Sequence, residues 1–319
     1  MRRARLIVTL GLPLLLLGAK SSKKGESAPP DASASSAQEM TRQLLDTMSM
    51  NIQVTLEDPG AEPRQALVFK PRAGAVTTTE MTQHIAMSMV VKGQSMAMPP
   101  QDMVTTQRCT VSAPDAAGNT RVHTEVVDVS SPAGAAAGNA LTGMAFDLVV
   151  SPAGRVTGVE VTGGGDPMVS EMVGRMSKEA MQSVATFPAD PVGVGARWTT
   201  EAEVGMAGIS FIAETTSTLR SLTDARADLD VTIQIRAGDS QLQFPGLPPD
   251  AKLDLTKLVG TGTGTQSVDL TTLTNTLQQK MTMDMEMTMS MGASPGGPGG
   301  MTMAMHMDQE IGSVVVPGE

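Results

Sequence analysis

Apolar and polar residues alternate along most of the chain, which is the pattern of β-strands that bury one face. From Met48 to Leu56 every second residue is apolar, and Asp58-Pro59-Gly60 then supplies a turn. From Arg226 to Ala237 the alternation is equally regular. The same pattern predicts further strands at 65–70, 76–91, 103–112, 120–129, 146–150, 155–162, 198–204, 209–219 and 260–273.

The most regular alternation lies near the C terminus, where methionine occupies every second position of residues 281–291 and 301–307. A loop rich in Gly and Pro, residues 292–300, joins the two segments. Because cross-strand neighbours share a face, these segments predict a hairpin with a ladder of thioethers on one side. Symmetrical pairing across the loop places Met291 opposite Met301, Met289 opposite Met303 and Met287 opposite Met305.

One segment follows a helical period instead. Met168, Met172 and Met176 are four residues apart, and an acidic residue and a proline, Asp166-Pro167, precede them. Phe187-Pro188 then favours the end of a helix. These signals predict one amphipathic helix at about residues 166–186.

Together these elements predict a mainly β fold with long antiparallel strands. We expect a curved sheet or open barrel with the amphipathic helix packed on its concave side, since each strand then buries one face. A flat two-layer sandwich is the alternative, but it gives the helix no packing role. Residues 39–319 are expected to form a single β-rich domain.

The N-terminal region has the features of an export signal. Residues 1–5 are basic and residues 6–19 are apolar, a run too short to span a bilayer. Residues 21–38, rich in Ser, Ala and Pro, predict a disordered tether. We therefore expect residues 1–20 to direct export to the periplasm or outer membrane of a bacterium. Membrane association is expected only through this segment, if it is not cleaved.

A twelve-residue segment, Phe187-Pro-Ala-Asp-Pro-Val-Gly-Val-Gly-Ala-Arg-Trp198, carries a family resemblance. With the export signal and the tether, it resembles uncharacterised bacterial envelope lipoproteins, which carry a similar FP-x-x-PV-x-x-G-x-x-W segment between a helix and a strand. The expected architecture is similar to the lipoprotein-carrier half-barrels, and this similarity implies binding of acyl chains under a helical lid. Residues 17–19 resemble the sequence before a lipid-modified cysteine, but Lys20 stands at the cysteine position. From the residues alone, we interpret the segment as structural, with Trp198 anchoring the next strand.

Composition excludes several kinds of function. The chain has 319 residues, a formal net charge of −10, 26 methionines, one cysteine and six Phe or Trp residues. A single cysteine excludes an intramolecular disulfide and a multi-cysteine metal site. Negative charge and few aromatic rings argue against a nucleic-acid partner. We find no nucleophile–base motif or phosphate-binding loop, so we expect no enzymatic activity and no cofactor. Cys109 lies in an alternating run and is expected to be a buried apolar residue.

Three functions remain open. The first is a non-enzymatic envelope protein that binds an apolar, lipid-like ligand or an envelope protein partner through a methionine-lined interior. The second is a periplasmic Cu(I) or Ag(I) protein, since thioethers are soft ligands; His306 is expected to point away from the sulfurs. The third is a structural or assembly role with no ligand. The candidate ligand-binding residues are Met281, Met283, Met285, Met287, Met289, Met301, Met303 and Met305.

Overall fold

The computed structural model describes residues 49–91, 93–131, 142–161, 187–206, 209–238, 252–290 and 301–316. These residues form thirteen β-strands and contain no helix. The strands are β1 (Ser49–Asp58), β2 (Val76–Val91), β3 (Gln94–Ala97), β4 (Gln101–Val111), β5 (Thr120–Ser130), β6 (Ala145–Val150), β7 (Val156–Val161), β8 (Arg197–Met206), β9 (Ile209–Leu222), β10 (Arg226–Ala237), β11 (Lys252–Asp269), β12 (Asn275–Ser290) and β13 (Met301–Val316).

All thirteen strands belong to one antiparallel sheet. Their order is β1-β8-β9-β10-β11-β12-β13-β2-β4-β5-β6-β7, and β3 pairs with β2 beside the end of β4. Most neighbours are also neighbours in sequence, but β1 pairs with β8 and β2 pairs with β13. Because the path begins at β1 and ends at β7, the sheet is open.

One face of the sheet carries nearly all of the apolar core. We call this side, which carries Trp198, Leu229 and Met307, the inner face, and the opposite side the outer face. The largest core cluster joins buried side chains of β4, β5, β6 and β7 to those of β8, β9, β10 and β11. These two groups lie on opposite sides of β12, β13 and β2 in the strand order. Their contact therefore requires the sheet to curve strongly around the inner face.

The prediction of a sheet or barrel with an amphipathic helix on its concave side was wrong. The described residues form strands and no helix, and the sheet is open. Residues 166–186, where the helix was predicted, lie outside the described residues. Side chains from irregular segments cover one end of the inner face, which we call the closed end. Among the described residues, Leu67, Phe69, Phe187 and Val192 join the core there.

The segment from Phe187 to Trp198 is part of this core. Phe187 is 2 % exposed and Trp198 is completely buried. The ring centroids of Phe187 lie 6.4 Å from Trp198 in an edge-on arrangement and 5.6 Å from Phe69. Such aromatic contacts stabilise beyond the area that they bury. The structural interpretation of Trp198 as the anchor of the next strand agrees with its position on β8.

The turn after β1 shows why a glycine follows the proline there. Gly60 has a φ of +75°, which disfavours other residues. A Cβ at this position would lie 2.4 Å from the carbonyl oxygen of Gly193. The amide of Gly60 also donates to Asp58 Oδ1 at 2.8 Å. The turn predicted at residues 58–60 is therefore confirmed, and it holds β1 against the segment before β8.

Most strands predicted by alternation are present, with shifted ends. The strand predicted at 65–70 was wrong, because only Gln65 pairs there, in an isolated bridge with Val192. Leu67 and Phe69 instead enter the core. The strand predicted at 260–273 begins earlier, at Lys252, and ends at Asp269.

Candidate functional site

Methionines on four neighbouring strands form one surface on the inner face, which we call the methionine face. On β12 and β13, Met283 lies opposite Met307, and Met285 lies opposite Met305. Directly opposed residues of antiparallel strands have Cβ atoms about 4.5–5.5 Å apart, so their side chains interact. The methionine face comprises Met281, Met283, Met285, Met287, Met303, Met305, Met307, Met87, Met89 and Met96.

The predicted hairpin is confirmed, but its predicted register was wrong. Met289, not Met291, lies opposite Met301, and Met287 lies opposite Met303. The pairing is shifted by two residues, which preserves the face of every side chain because the strand period is two. The thioether ladder therefore forms as expected with different partners.

Strand β2 extends the ladder beyond the predicted hairpin. Met307 lies opposite Met87 as well as Met283, and Met305 lies opposite Met89. On its other side, Met89 pairs with Met96 of β3. Alternation places Met87 and Met89 on one face of β2, but the pairing of β2 with β13 is not evident from the sequence. The hairpin prediction consequently missed Met87, Met89 and Met96.

Burial changes along the methionine face. At its base, Met307 is 1 % exposed and Met87 is 8 % exposed. Further along the strands, six of the predicted ligand-binding residues are half-buried and Met96 is 52 % exposed. The half-buried methionines are Met281, Met283, Met285 and Met287 on β12 and Met303 and Met305 on β13. The backbones of Met289 and Met301 pair with each other, and their side chains lie outside the description.

Strand β11 borders the methionine face with glycines. Gly260 lies opposite Met283, and Gly262 lies opposite Met281. These methionines also pack against a second core cluster that contains Ala202, Ala213 and Ile235. Because glycine adds no side chain between β10 and β12, the apolar side chains of those strands approach each other across β11.

Polar residues lie at the base of the methionine face. Gln83 is 7 % exposed and Gln309 is 4 % exposed. Their strands are adjacent, because Gln309 lies opposite Ile85, two residues from Gln83. The half-buried Gln279 of β12 lies opposite Ile311, two residues from Gln309. Gln279 and Gln83 thus flank Ile311 on neighbouring strands, and Gln309 lies two residues from Ile311 on β13, between the methionines and the closed core.

Charged residues occupy the outer face and form cross-strand pairs. His306 Nδ1 lies 2.7 Å from Asp284 Oδ1, and His306 Nε2 lies 3.3 Å from Asp308 Oδ2. The hydrogen bond to Asp284, with the charge of Asp308, raises the pKa of His306 against the opposing effect of burial. Lys257 Nζ lies 3.7 Å from Asp284 Oδ2. The expectation that His306 points away from the methionine sulfurs is confirmed.

The other two histidines also pair with aspartates. His84 Nδ1 lies 2.5 Å from Asp102 Oδ1, and His123 Nδ1 lies 2.7 Å from Asp147 Oδ1. Asp147 also accepts a hydrogen bond from Arg121 at 2.7 Å. Each histidine is therefore held by a neighbouring strand. Within the described ranges, no three His, Cys, Asp or Glu side chains gather as a metal site would require.

A groove of about 630 Å³ lies between β10 and β2. It is lined mainly by outer-face side chains, including His84, Lys280 and Glu310. Lys280 Nζ and Glu310 Oε1 lie 3.1 Å apart, so these charges neutralise each other. Most residues that line the groove are polar or charged, so it differs from the methionine-lined interior expected from the sequence.

The single cysteine is part of the core, as predicted. Cys109 is 7 % exposed, and its Sγ donates to the carbonyl oxygen of Thr272 at 3.4 Å. Burial raises the pKa of the Cys109 thiol, with a smaller opposing effect from Thr124. A thiol with a raised pKa carries little thiolate and is a poor nucleophile.

The described residues include no helix that is long and apolar enough to cross a membrane.

Comparison with known proteins gives a family of unknown function and distant structural similarities. The chain is 9 % identical to an outer membrane channel of Pseudomonas putida F1, with a TM-score of 0.21, covering 77 % of this chain and 98 % of that one. It is 8 % identical to OccK11 (OpdR) of Pseudomonas aeruginosa, with a TM-score of 0.20, covering 78 % of this chain and 100 % of that one. Such low TM-scores support no inference about this chain. No curated protein matches it. Residues 174–273, which include the segment from Phe187 to Trp198, match the model of a family of unknown function (DUF6263).

Proposed function

We propose that this chain is a non-enzymatic protein of the bacterial envelope that holds an apolar, lipid-like ligand against the methionine face. One observation carries the proposal. The closed end of the inner face is fully packed around Trp198, whereas Met285, Met303 and Met305 remain half-buried in the folded protein. The partly exposed thioethers leave apolar surface for a ligand to cover, at about 25 cal/mol per Å² removed from water.

Methionine is well suited to such a surface. Its side chain is unbranched and flexible, so one set of methionines can adapt to ligands of different shape. The rung Met285–Met305–Met89–Met96 crosses four strands, so an elongated ligand can contact several thioethers at once. Charged side chains of the same strands, such as Asp284 and His306, lie on the outer face and stay in water.

The envelope location in this proposal rests on the sequence. Residues 1–20 have the features of an export signal, and the Phe187–Trp198 segment resembles envelope lipoproteins. That segment lies within the region that matches the family of unknown function. We place the protein in the periplasm or at the outer membrane for these reasons.

The test measures binding of the apolar dye N-phenyl-1-naphthylamine to protein purified without detergent. Met303→Lys would place a charge within the methionine face and should weaken dye binding by about tenfold or more. Thr302→Lys is the matched control, because Thr302 neighbours Met303 on β13 but is exposed on the outer face. This control should bind the dye like the unmodified protein.

Native mass spectrometry of the same preparation adds a second measurement. We expect lipid-sized adducts on the unmodified protein and on Thr302→Lys, and their loss from Met303→Lys. Fluorescence of Trp198, the chain's one tryptophan, verifies that each variant is folded. If the unmodified protein binds neither the dye nor lipid, the proposal is refuted and a structural role without a ligand is favoured.

Binding of Cu(I) or Ag(I) is the second candidate, and one rung favours it. Met283, Met307 and Met87 lie directly opposite one another on three adjacent strands, so three thioethers meet on one face. Soft thioethers select Cu(I) over harder ions. Anaerobic titration with Ag(I) should shift the methyl resonances of these three residues before those of Met96. Unchanged methyl resonances would exclude this function.

A further inference from the structure

Gln83 is a buried amide without a hydrogen-bond acceptor for its side-chain nitrogen. It is 7 % exposed on the inner face of β2. Its Nε2 has no hydrogen-bond partner among the described residues. Buried polar groups in folded proteins are nearly always paired, because an unpaired donor loses its hydrogen bonds to water on folding. An unpaired amide in the middle of a sheet therefore calls for an acceptor that the described residues do not supply.

The described residues directly opposite Gln83 supply no good acceptor for this donor. Ile311 on β13 and Met103 on β4 lie directly opposite Gln83. Isoleucine accepts no hydrogen bond, and a thioether is only a weak acceptor. The backbone groups of β2 are already used in pairing with β13 and β4. An acceptor for Gln83 must therefore approach from the inner face, at the base of the methionine face.

Charge defines which acceptor would fit. The described inner-face positions of β11, β12, β13, β2 and β4 carry apolar residues, glycine and neutral polar residues only. A carboxylate brought to Gln83 would be desolvated without a cation to balance it, which is costly. A neutral carbonyl accepts the same hydrogen bond from Nε2 without that cost.

We propose that the methionine face binds a neutral amphiphile, such as a fatty-acyl ester, whose carbonyl oxygen accepts a hydrogen bond from Gln83 Nε2. This inference rests on the proposed function, and it adds the chemical class of the ligand and its orientation. The acyl chain extends from Gln83 along the inner face of β13 in the direction of Met303. Flexible methionines, including Met103 opposite Gln83, make room for the carbonyl by changing rotamer.

The test compares three ligands with the same apolar chain, dodecane, methyl dodecanoate and dodecanoate, as competitors of N-phenyl-1-naphthylamine. The unmodified protein should bind the ester about tenfold more tightly than the alkane, equivalent to about 1.4 kcal/mol. It should bind the ester more tightly than the carboxylate. Gln83→Leu should reduce the affinity for the ester to that for the alkane and leave the alkane unchanged. Gln278→Leu, on the exposed outer face of β12, is the matched control and should behave like the unmodified protein.

The outcomes separate this inference from the proposed function. Equal affinities of the unmodified protein for ester and alkane would mean that Gln83 pairs only with water. This result would overturn the inference and leave the proposed function standing. Tighter binding of dodecanoate than of the ester would also overturn it. Failure of all three ligands to displace the dye, or no dye binding at all, would refute the proposed function itself.

A second measurement applies if Gln83→Leu does not fold. The side-chain amide resonances of Gln83 in the unmodified protein should shift when methyl dodecanoate binds and should shift much less with dodecane. Equal shifts with both ligands would contradict a hydrogen bond to the carbonyl.

Discussion

Met283 on β12 lies directly opposite Met307 on β13, yet the two residues differ in burial. Met307 is 1 % exposed, whereas Met283 is half-buried. Met307 also contacts the core cluster that contains Ile85 and Met87. The pair marks the boundary at which the methionine face changes from packed core to partly exposed surface.

Truncation should distinguish the two sides of this boundary. Met307→Ala should lower the free energy of unfolding by about 2–5 kcal/mol, because it leaves a cavity in a packed site. Met303→Ala should cost much less, since Met303 is half-buried. Urea unfolding followed by the fluorescence of Trp198 measures both values. Equal losses for the two variants would contradict the boundary.

Oxidation by dilute peroxide should follow the same boundary. Met96, which is 52 % exposed, should form sulfoxide fastest, and Met307 and Met87 should form it slowest. The expected order is read by mass spectrometry of peptides after timed exposure. In urea, where the fold is lost, the three residues should react at similar rates. An even rate across the folded methionine face would contradict its burial.

The glycines of β11 should be sensitive to substitution. A Cβ at Gly264 would lie 2.3 Å from the carbonyl oxygen of Gln278 and 3.0 Å from Gln279 Cα. Both contacts are with backbone, so β11 and β12 must shift apart. Gly264→Ala should therefore lower the free energy of unfolding by about 1–3 kcal/mol. Thr263→Ala, exposed on the outer face of the same strand, should change it by less than about 0.5 kcal/mol.

Stability should depend on the protonation of His306. Asp284 of β12 and Asp308 of β13 raise the pKa of His306. Lys257 of β11 lies next to Asp284, and Ser88 of β2 lies opposite His306. Because the folded pKa lies above 6.5, this contribution to stability is fully present below pH 6.5 and is lost as the pH rises through the folded pKa. Urea unfolding at several pH values should show this loss.

His306→Gln provides the control for the pH dependence. It removes the titrating ring and should flatten the stability profile in the range above pH 6.5. Titration of the ring resonances by NMR reports the folded pKa directly. An unshifted or lowered pKa would contradict the pairing with Asp284.

The faces of the strands could be predicted from the sequence because alternation has a period of two. It places the methionines of β12 on one side and His306 on the other, as the structure does. The register could not be predicted in the same way. The observed register pairs Met289 with Met301, and the predicted register pairs Met291 with Met301. Both registers put the same residues on the same face, so the hydrophobic pattern does not choose between them.

The order of the strands was beyond prediction for a different reason. The pairing of β2 with β13 brings Met87 and Met89 to the methionine face, but no local pattern links two segments so far apart. The buried Gln83 was missed as well, because a glutamine between apolar residues is equally typical of an exposed position. Leu67 and Phe69 looked like a strand because an apolar run does not distinguish pairing from burial in a core.

The hydrogen bond from the Thr82 hydroxyl to the carbonyl of Gly312 joins residues 230 positions apart. The middle of the sheet is thus completed by β13, and β2 has no partner on that side until β13 has been synthesised. Long-range pairing of this kind slows folding and delays completion of the sheet until residues 303–316 are available. Under the envelope location proposed above, such a delay would keep the polypeptide unfolded until it has crossed the inner membrane.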